Sequence, residues 1–272
     1  MFVVVLDTPN MSLAMRLITA KYVALLIACL GVQTCAAAPP QATTASRAGQ
    51  AREFLAGLFD PELRLLPEYP GAKTYWLYHD NYLAAHALAV SHPKLARQIT
   101  AALRERGVTN SGKIEIVHGE ALSPLPLRDY LLKEVARVGE KILKTEVVTD
   151  RLNTGWRGYA DLRLLTALAT TNDALARAEF AAARAMWDGR GFKDSATDKQ
   201  GRYATYKLAL ALVTAQRRGL DFPEAADVRR EMLARQAASG GFITDYLANG
   251  ENRGFANVET TCLCLLAIQP AP

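Results

Sequence analysis

Four segments of the chain begin with an aromatic residue and continue as runs rich in alanine and leucine. The last of them, residues 255–268, is the clearest, because positions 262–268 contain no polar side chain except two cysteines. A helix that lacks a polar face is buried on most sides. The other three segments begin near Tyr78, Tyr159 and Tyr203. This repetition predicts four buried helices that begin alike and occupy equivalent places in one architecture.

Amphipathic segments with charged faces alternate with these buried ones. They cover residues 46–59, 93–106, 173–187 and 223–238. Asn172 stands where a helix N-cap is expected, and a glycine follows residue 106 as a C-terminal stop. Buried inner helices paired with charged outer helices predict a mainly α fold. We therefore expect an α/α barrel or toroid of helical hairpins, formed as a single domain by residues 48–272.

Residues 113–148 interrupt the helical pattern. Residues 113–118 alternate between apolar and polar positions, and residues 141–148 do so more loosely, as half-buried strands do. The intervening stretch 127–137 fits either a helix or a strand. We predict a small antiparallel β insertion between the helical hairpins, in a position to form one wall of a pocket.

The loops before two of the buried helices share a glycine, a phenylalanine and a nearby aspartate: Gly191-Phe192-Lys193-Asp194, and Gly241-Phe242 with Asp245. Together with the aromatic-led helices, they make residues 75–268 resemble the six-hairpin glycosidase-like class of α/α toroids. Four inner helices can be counted, where a full six-hairpin toroid has six. The resemblance implies a carbohydrate-active protein whose funnel opens at the loops before the inner helices.

A second resemblance, to terpenoid cyclases and prenyltransferases, rests on Gln236-Ala237-Ala238-Ser239-Gly240-Gly241-Phe242. Those enzymes would bring an acidic cation-initiating motif or a zinc site. The sequence contains neither, so the glycosidase-like resemblance is preferred.

The first 38 residues have the layout of an export signal. Arg16 and Lys21 precede an apolar run over residues 22–32, which is too short to span a bilayer, and a Cys-Ala-Ala-Ala sequence follows at 35–38. Cleavage near residue 37 or 38 would release a soluble periplasmic or extracellular protein. The alternative is a lipoprotein, because residues 26–29 resemble a lipobox that would place a membrane anchor at Cys29. Residues 39–47 then form a flexible lead-in.

Composition and charge exclude several classes of function. The 272 residues carry a formal net charge of +5, and their basic residues form no cluster or stripe of the kind that binds nucleic acid. No glycine-rich phosphate loop follows a strand, so we expect no nucleotide and no other cofactor. His79 and His86 share a helix face but lack a third ligand, so we expect no metal. Cys262 and Cys264 stand two apart on a helix and cannot form a disulfide with each other.

Carboxylates in the first turns of the predicted inner helices are the candidate catalytic residues. Asp161 and Glu259 are the preferred acid/base pair, and Asp80 is the third candidate, because two carboxylates across a funnel can divide acid and base roles in glycoside cleavage. Acidic residues also occur at helix starts simply because they complement the helix dipole. The candidate substrate-binding residues at the same entrances are Trp76, Tyr78, Asn81, Trp156, Arg157, Tyr159, Tyr203, Lys207, Arg253, Phe255 and Asn257.

The cations among these residues, with Arg202, favour an acidic sugar, whose carboxylate a guanidinium can bind with two hydrogen bonds. Lys207 stands among apolar neighbours, so it should have a carboxylate partner or face a cavity. The predicted function is an exported carbohydrate-active protein that acts on or binds an acidic glycan, as a glycoside hydrolase or a polysaccharide lyase. The alternatives are a glycan- or peptidoglycan-binding module without catalysis, and a structural scaffold.

Overall fold

The computed structural model describes residues 43–108, 114–119 and 128–269. The predicted export signal, its alternative lipid anchor at Cys29 and the first part of the predicted lead-in lie outside these residues. The last part of the lead-in is already ordered, since a helix begins at Thr44 and the side chain of Thr43 caps it by accepting a hydrogen bond from the backbone N–H of Ser46. No helix of the described residues is long and apolar enough to cross a membrane.

Nine α-helices and six strands make up the described part of the chain. The helices are α1 (Thr44–Gly57), α2 (His79–Leu88), α3 (Pro93–Glu105), α4 (Ala160–Ala169), α5 (Asp173–Arg184), α6 (Ser195–Gln200), α7 (Thr205–Arg218), α8 (Ala225–Leu233) and α9 (Val258–Ile268). The strands are β1 (Thr74–Trp76), β2 (Arg128–Val138), β3 (Lys141–Leu152), β4 (Tyr203–Ala204), β5 (Ile243–Tyr246) and β6 (Asn252–Ala256). Short 3₁₀ helices cover Ile114–His118 and Trp156–Gly158.

The four helices that the apolar runs predict are the buried helices of the structure. They pack side by side in the order α4, α7, α9, α2, while α5, α8, α1 and α3 cover them. Nearly every residue of α9 is buried, as expected for a helix without a polar face. The N-cap prediction is confirmed, because Asn172 accepts a hydrogen bond from the N–H of Leu175. The buried cysteines Cys262 and Cys264 are both free.

The first sheet joins the long β2–β3 hairpin to the start of α2. Its strand order is β1-β3-β2, with β1 parallel and β2 antiparallel to β3. The parallel pairing places Trp76 opposite Lys144 and so holds the entrance of α2 against the hairpin. The ambiguous stretch 127–137 is therefore a strand over its described residues, and the strand at 141–148 is confirmed.

The prediction of a mainly helical α/α toroid is wrong. The described residues are 50% helical and 20% strand, in a mixed fold with two small sheets. The second sheet, β4-β5-β6, is antiparallel and forms from the segments that precede α7 and α9. The sequence pattern predicted loops in these segments. Their strands are only two to five residues long, and glycine turns such as Gly250, at φ 86°, separate them.

The predicted strand at 113–118 is also wrong where the structure describes it. Residues 114–118 form a 3₁₀ helix in which Ile114, Ile116 and Val117 are all buried, and this helix packs on α4. An apolar-polar alternation over six residues is too short to separate an extended strand from a tight helical turn. Here packing on α4 decides the conformation.

Gly240 and Gly71 offer a matched test of backbone packing. Both have positive φ, 93° and 82°, and a side chain in that region costs about 1–2 kcal/mol. A Cβ on Gly240 would also lie 2.3 Å from the carbonyl oxygen of Gln50 in α1, whereas one on Gly71 meets nothing within 4 Å. Overpacking adds about 1–3 kcal/mol. We expect Gly240→Ala to lower the free energy of unfolding by about 1–3 kcal/mol more than Gly71→Ala does, as measured by urea denaturation. Equal losses would contradict the close approach of Gly240 to Gln50.

Candidate active site

Two adjoining cavities lie at the first turns of the buried helices. The Asp161 cavity, about 120 Å³, is lined by His79, Asp161, Tyr206 and Glu259 together with apolar residues. The acidic cavity, about 230 Å³, shares His79 and Glu259 with it, and its remaining lining residues are Glu68, Trp76, Asp80, Leu132, Glu146 and Asn257. Each of the three candidate catalytic carboxylates therefore lines at least one of two cavities that share His79 and Glu259. A larger surface depression of about 540 Å³ between α2 and α3 has no carboxylate in its lining.

Asp161 is held by two residues of α7. The hydroxyl of Tyr206 donates a hydrogen bond to Oδ2 of Asp161 at 3.1 Å. The ammonium of Lys207 lies 3.7 Å from the other oxygen, Oδ1. Burial and the neighbouring carboxylates of Asp161 and Glu259 raise the pKa of Tyr206 well above its usual value, so its hydroxyl keeps its proton and remains a donor. These two contacts fix the position of the Asp161 carboxyl at the cavity.

Lys207 is buried, and its main partner is Asp194, whose Oδ2 lies 2.5 Å from Nζ. The sequence predicted that this lysine either has a carboxylate partner or faces a cavity, and the structure shows the carboxylate partner. Asp194 also caps α6 by accepting hydrogen bonds from the N–H groups of Ala196 and Thr197, and it accepts one from Ala160 at the start of α4. Although burial alone would raise the pKa of Asp194, the hydrogen bond from Lys207 lowers it below the usual value.

Glu259 is linked to the β2–β3 hairpin through His79. The two ring nitrogens of His79 lie between two carboxylates, with Nδ1 3.2 Å from Glu146 and Nε2 3.5 Å from Glu259. His79 is the first residue of α2, Glu146 belongs to β3, and Glu259 lies in the first turn of α9. Three separate elements therefore meet at one imidazole, which orients both carboxylates.

Asp80 is the most deeply buried of the candidate acids. Its exposure is 2%, and its Oδ2 atom has no hydrogen-bond partner. Burial first, and then the carboxylates of Glu259, Glu68 and Glu146, raise its pKa well above the usual value. This environment favours the protonated form of Asp80, which makes it a poorer candidate for a base or nucleophile than Asp161 or Glu259.

Two predicted substrate-binding amides have structural roles. Asn81 is fully buried and binds the backbone, accepting a hydrogen bond from the N–H of Leu66 and donating to the carbonyls of Leu66 and Trp76. Asn257 lines the acidic cavity, but its Oδ1 caps α9 at the N–H of Thr260. Asn81 fixes the path of the chain into α2, and no atom of it is left to contact a ligand in the cavities.

The structure brings only one of the predicted aromatic residues to the lining of these cavities. That residue is Trp76, which lines the acidic cavity. The others make internal contacts: Tyr78 stacks on Tyr82, Trp156 lies under Arg157, Tyr159 binds Lys199, Tyr203 donates a hydrogen bond to Asp188, and Phe255 packs on Tyr69. Aromatic residues at helix entrances thus serve here mainly to pack the ends of the helices.

The predicted cations do not line the cavities either. Arg157 is exposed above the ring of Trp156, and Arg253 is exposed and paired with Glu251 at 2.9 Å. Lys207 is occupied by its buried aspartate partner. The prediction of an acidic sugar depended on cations at the site, and no arginine or lysine of the described residues lines either cavity.

Sequence reasoning did not select His79, Tyr206, Glu68 or Glu146 for the site. His79 was considered only as half of a metal pair with His86, whereas the structure stacks His86 on His118 with ring centroids 4.0 Å apart. Tyr206 stands next to Lys207 in the first turn of α7. This first-turn position is the sequence feature that could have identified Tyr206 as a site residue. In the described residues no group of three or more His, Cys, Asp or Glu side chains is arranged to hold a metal ion.

The geometry defines a class of site, namely a small carboxylate-lined pocket at the entrances of packed helices. Comparison with protein-family models, with curated proteins and with solved structures finds no match to this chain.

Proposed function

We propose that this chain is a carbohydrate-active enzyme that hydrolyses glycosidic bonds, with Asp161 and Glu259 as its two catalytic carboxylates. The supporting observation is that these side chains, from the first turns of α4 and α9, line the same cavity. Two carboxylates that flank one scissile bond are the common requirement of glycoside hydrolysis.

The surroundings of the two carboxylates suggest their roles. Asp161 receives a hydrogen bond from Tyr206 and lies near the ammonium of Lys207, so it suits the base or nucleophile, which must act as an anion. Glu259 lines both cavities, and its carboxyl lies 3.5 Å from Nε2 of His79, so we assign it the role of general acid. His79 would hold Glu259 towards the leaving group.

The hydrolase is favoured over the other functions considered. A lyase acting on a uronate needs a group that neutralises the sugar carboxylate, and no arginine or lysine of the described residues lines either cavity. A non-catalytic glycan-binding module would present several aromatic faces, whereas most of the predicted ones are used in internal packing. A purely structural scaffold does not account for five carboxyl groups around two adjoining cavities.

The proposed function is tested by incubating the purified chain with neutral, acidic and amino-sugar oligosaccharides and by measuring new reducing ends. We expect cleavage of at least one neutral or amino-sugar substrate and none of a polyuronate. Binding without cleavage of any substrate would contradict the hydrolase and favour the binding module. Cleavage that produces an unsaturated uronate would favour the lyase.

A further inference from the structure

The acidic cavity carries more carboxyl groups than a neutral sugar requires. Glu68, Asp80, Glu146 and Glu259 all line it. His79 is the only basic side chain of the described residues in this lining, and it already faces two of the four carboxyls. The carboxylates of Glu68, Glu146 and Glu259 raise the pKa of Asp80, and a cation in the cavity would oppose this effect. The charge balance therefore favours a positively charged ligand group.

Asp80 provides a second and independent observation. Its carboxyl is 98% buried, lines the cavity and leaves Oδ2 without a hydrogen-bond partner. A buried polar atom without a partner costs about 1–3 kcal/mol. A ligand with several N–H donors in the cavity would remove this cost, and an ammonium group has three such donors and a positive charge that would favour the ionised form of Asp80.

The remaining walls suit the body of a sugar. Trp76 offers an indole ring and Leu132 an apolar side chain. Lys144 lies with Nζ 5.6 Å from the centroid of the Trp76 ring, so this ring already interacts with one cation. A sugar ring can pack its C–H groups on such a surface while its charged group contacts the carboxyls.

We infer that the acidic cavity is a subsite for the ammonium group of an amino sugar, placed next to the bond cleaved between Asp161 and Glu259. This inference rests on the proposed function and names its substrate class. It predicts that a glycan with free 2-amino groups binds well and that the same glycan with N-acetyl groups binds poorly, because acetylation removes both the charge and two donors.

The test is isothermal titration calorimetry of the purified chain with glucosamine oligomers and with N-acetylglucosamine oligomers of the same length. We expect a preference for the free amine of about tenfold or more, which corresponds to about 1.4 kcal/mol. Glu68→Gln, at a partly exposed lining position, should reduce this preference while binding of the acetylated oligomer stays unchanged. Glu140→Gln, at an exposed position of the hairpin turn paired with Lys73, is the matched control and should change neither.

The outcomes separate the two proposals. Equal affinity for both oligomers, or a preference that survives both Glu68→Gln and Glu146→Gln, would overturn the ammonium subsite, while hydrolysis of any glycan would still support the enzyme. A strong amine preference without cleavage of any oligomer would uphold the subsite and reject the hydrolase. Circular dichroism of each variant shows that a loss of preference is not a loss of fold.

Discussion

Asp161→Asn and Glu259→Gln are each expected to reduce glycoside cleavage by about 100- to 10,000-fold, the range that a positioned acid or base contributes. Both substitutions keep the size of the side chain and remove only its ability to carry charge or to transfer a proton. Both side chains lie in first helical turns and line the Asp161 cavity. The measurement is kcat and KM on the substrate found by the screen, with the melting temperature of each variant.

The two variants should differ in their remaining behaviour. If Glu259 is the general acid, Glu259→Gln should retain more activity on a substrate whose leaving group needs no protonation, such as a nitrophenyl glycoside, whereas Asp161→Asn should not. Glu140→Gln again serves as the control and should keep full activity. Loss of less than threefold in either active-site variant would remove that residue from the mechanism.

Lys207→Met is expected to have the largest effect on stability, lowering the free energy of unfolding by about 3–5 kcal/mol. This is the cost of breaking a buried ion pair by removal of one partner, which leaves the other charge uncompensated. The side chains of Lys207 and Asp194 are 3% and 0% exposed. Lys199→Met is the matched control, because Lys199 is exposed and its ammonium contacts the hydroxyl and ring of Tyr159, and it should cost under about 0.5 kcal/mol.

The loss of unfolding free energy caused by Lys207→Met should become smaller as the pH falls. The pKa of Asp194 is lowered in the folded wild-type chain, so its contribution to stability is present above its unfolded pKa and is lost as the pH falls through the folded value. The variant lacks the cation that lowers this pKa. The difference in unfolding free energy between wild type and variant should therefore be largest at neutral pH and shrink below about pH 4. A difference that stays constant from pH 7 to pH 3 would contradict the ion pair.

The sequence alone was sufficient for the helical framework. Residues 262–268 are apolar at nearly every position, so only a helix buried on most sides could accommodate them, and α9 is such a helix. The N-cap at Asn172 and the partner of Lys207 were predictable for a related reason, since free backbone donors and a buried ammonium must each find an acceptor. Asp161 and Glu259 were selected because the first turns of the predicted inner helices were expected to point to the same end of the fold.

The tertiary structure decided the fold class and the contents of the site. The two small sheets depend on pairings between strands far apart in sequence, such as β1 with β3, and short strands carry little periodicity of their own. Asn81 was misjudged because its partner is the backbone of Leu66, fifteen residues away, which no local pattern reveals. His79 joins Glu146 to Glu259 only because the hairpin folds against α2 and α9. Local sequence determined where each helix begins, whereas the packing of these elements determined which side chains share the cavities.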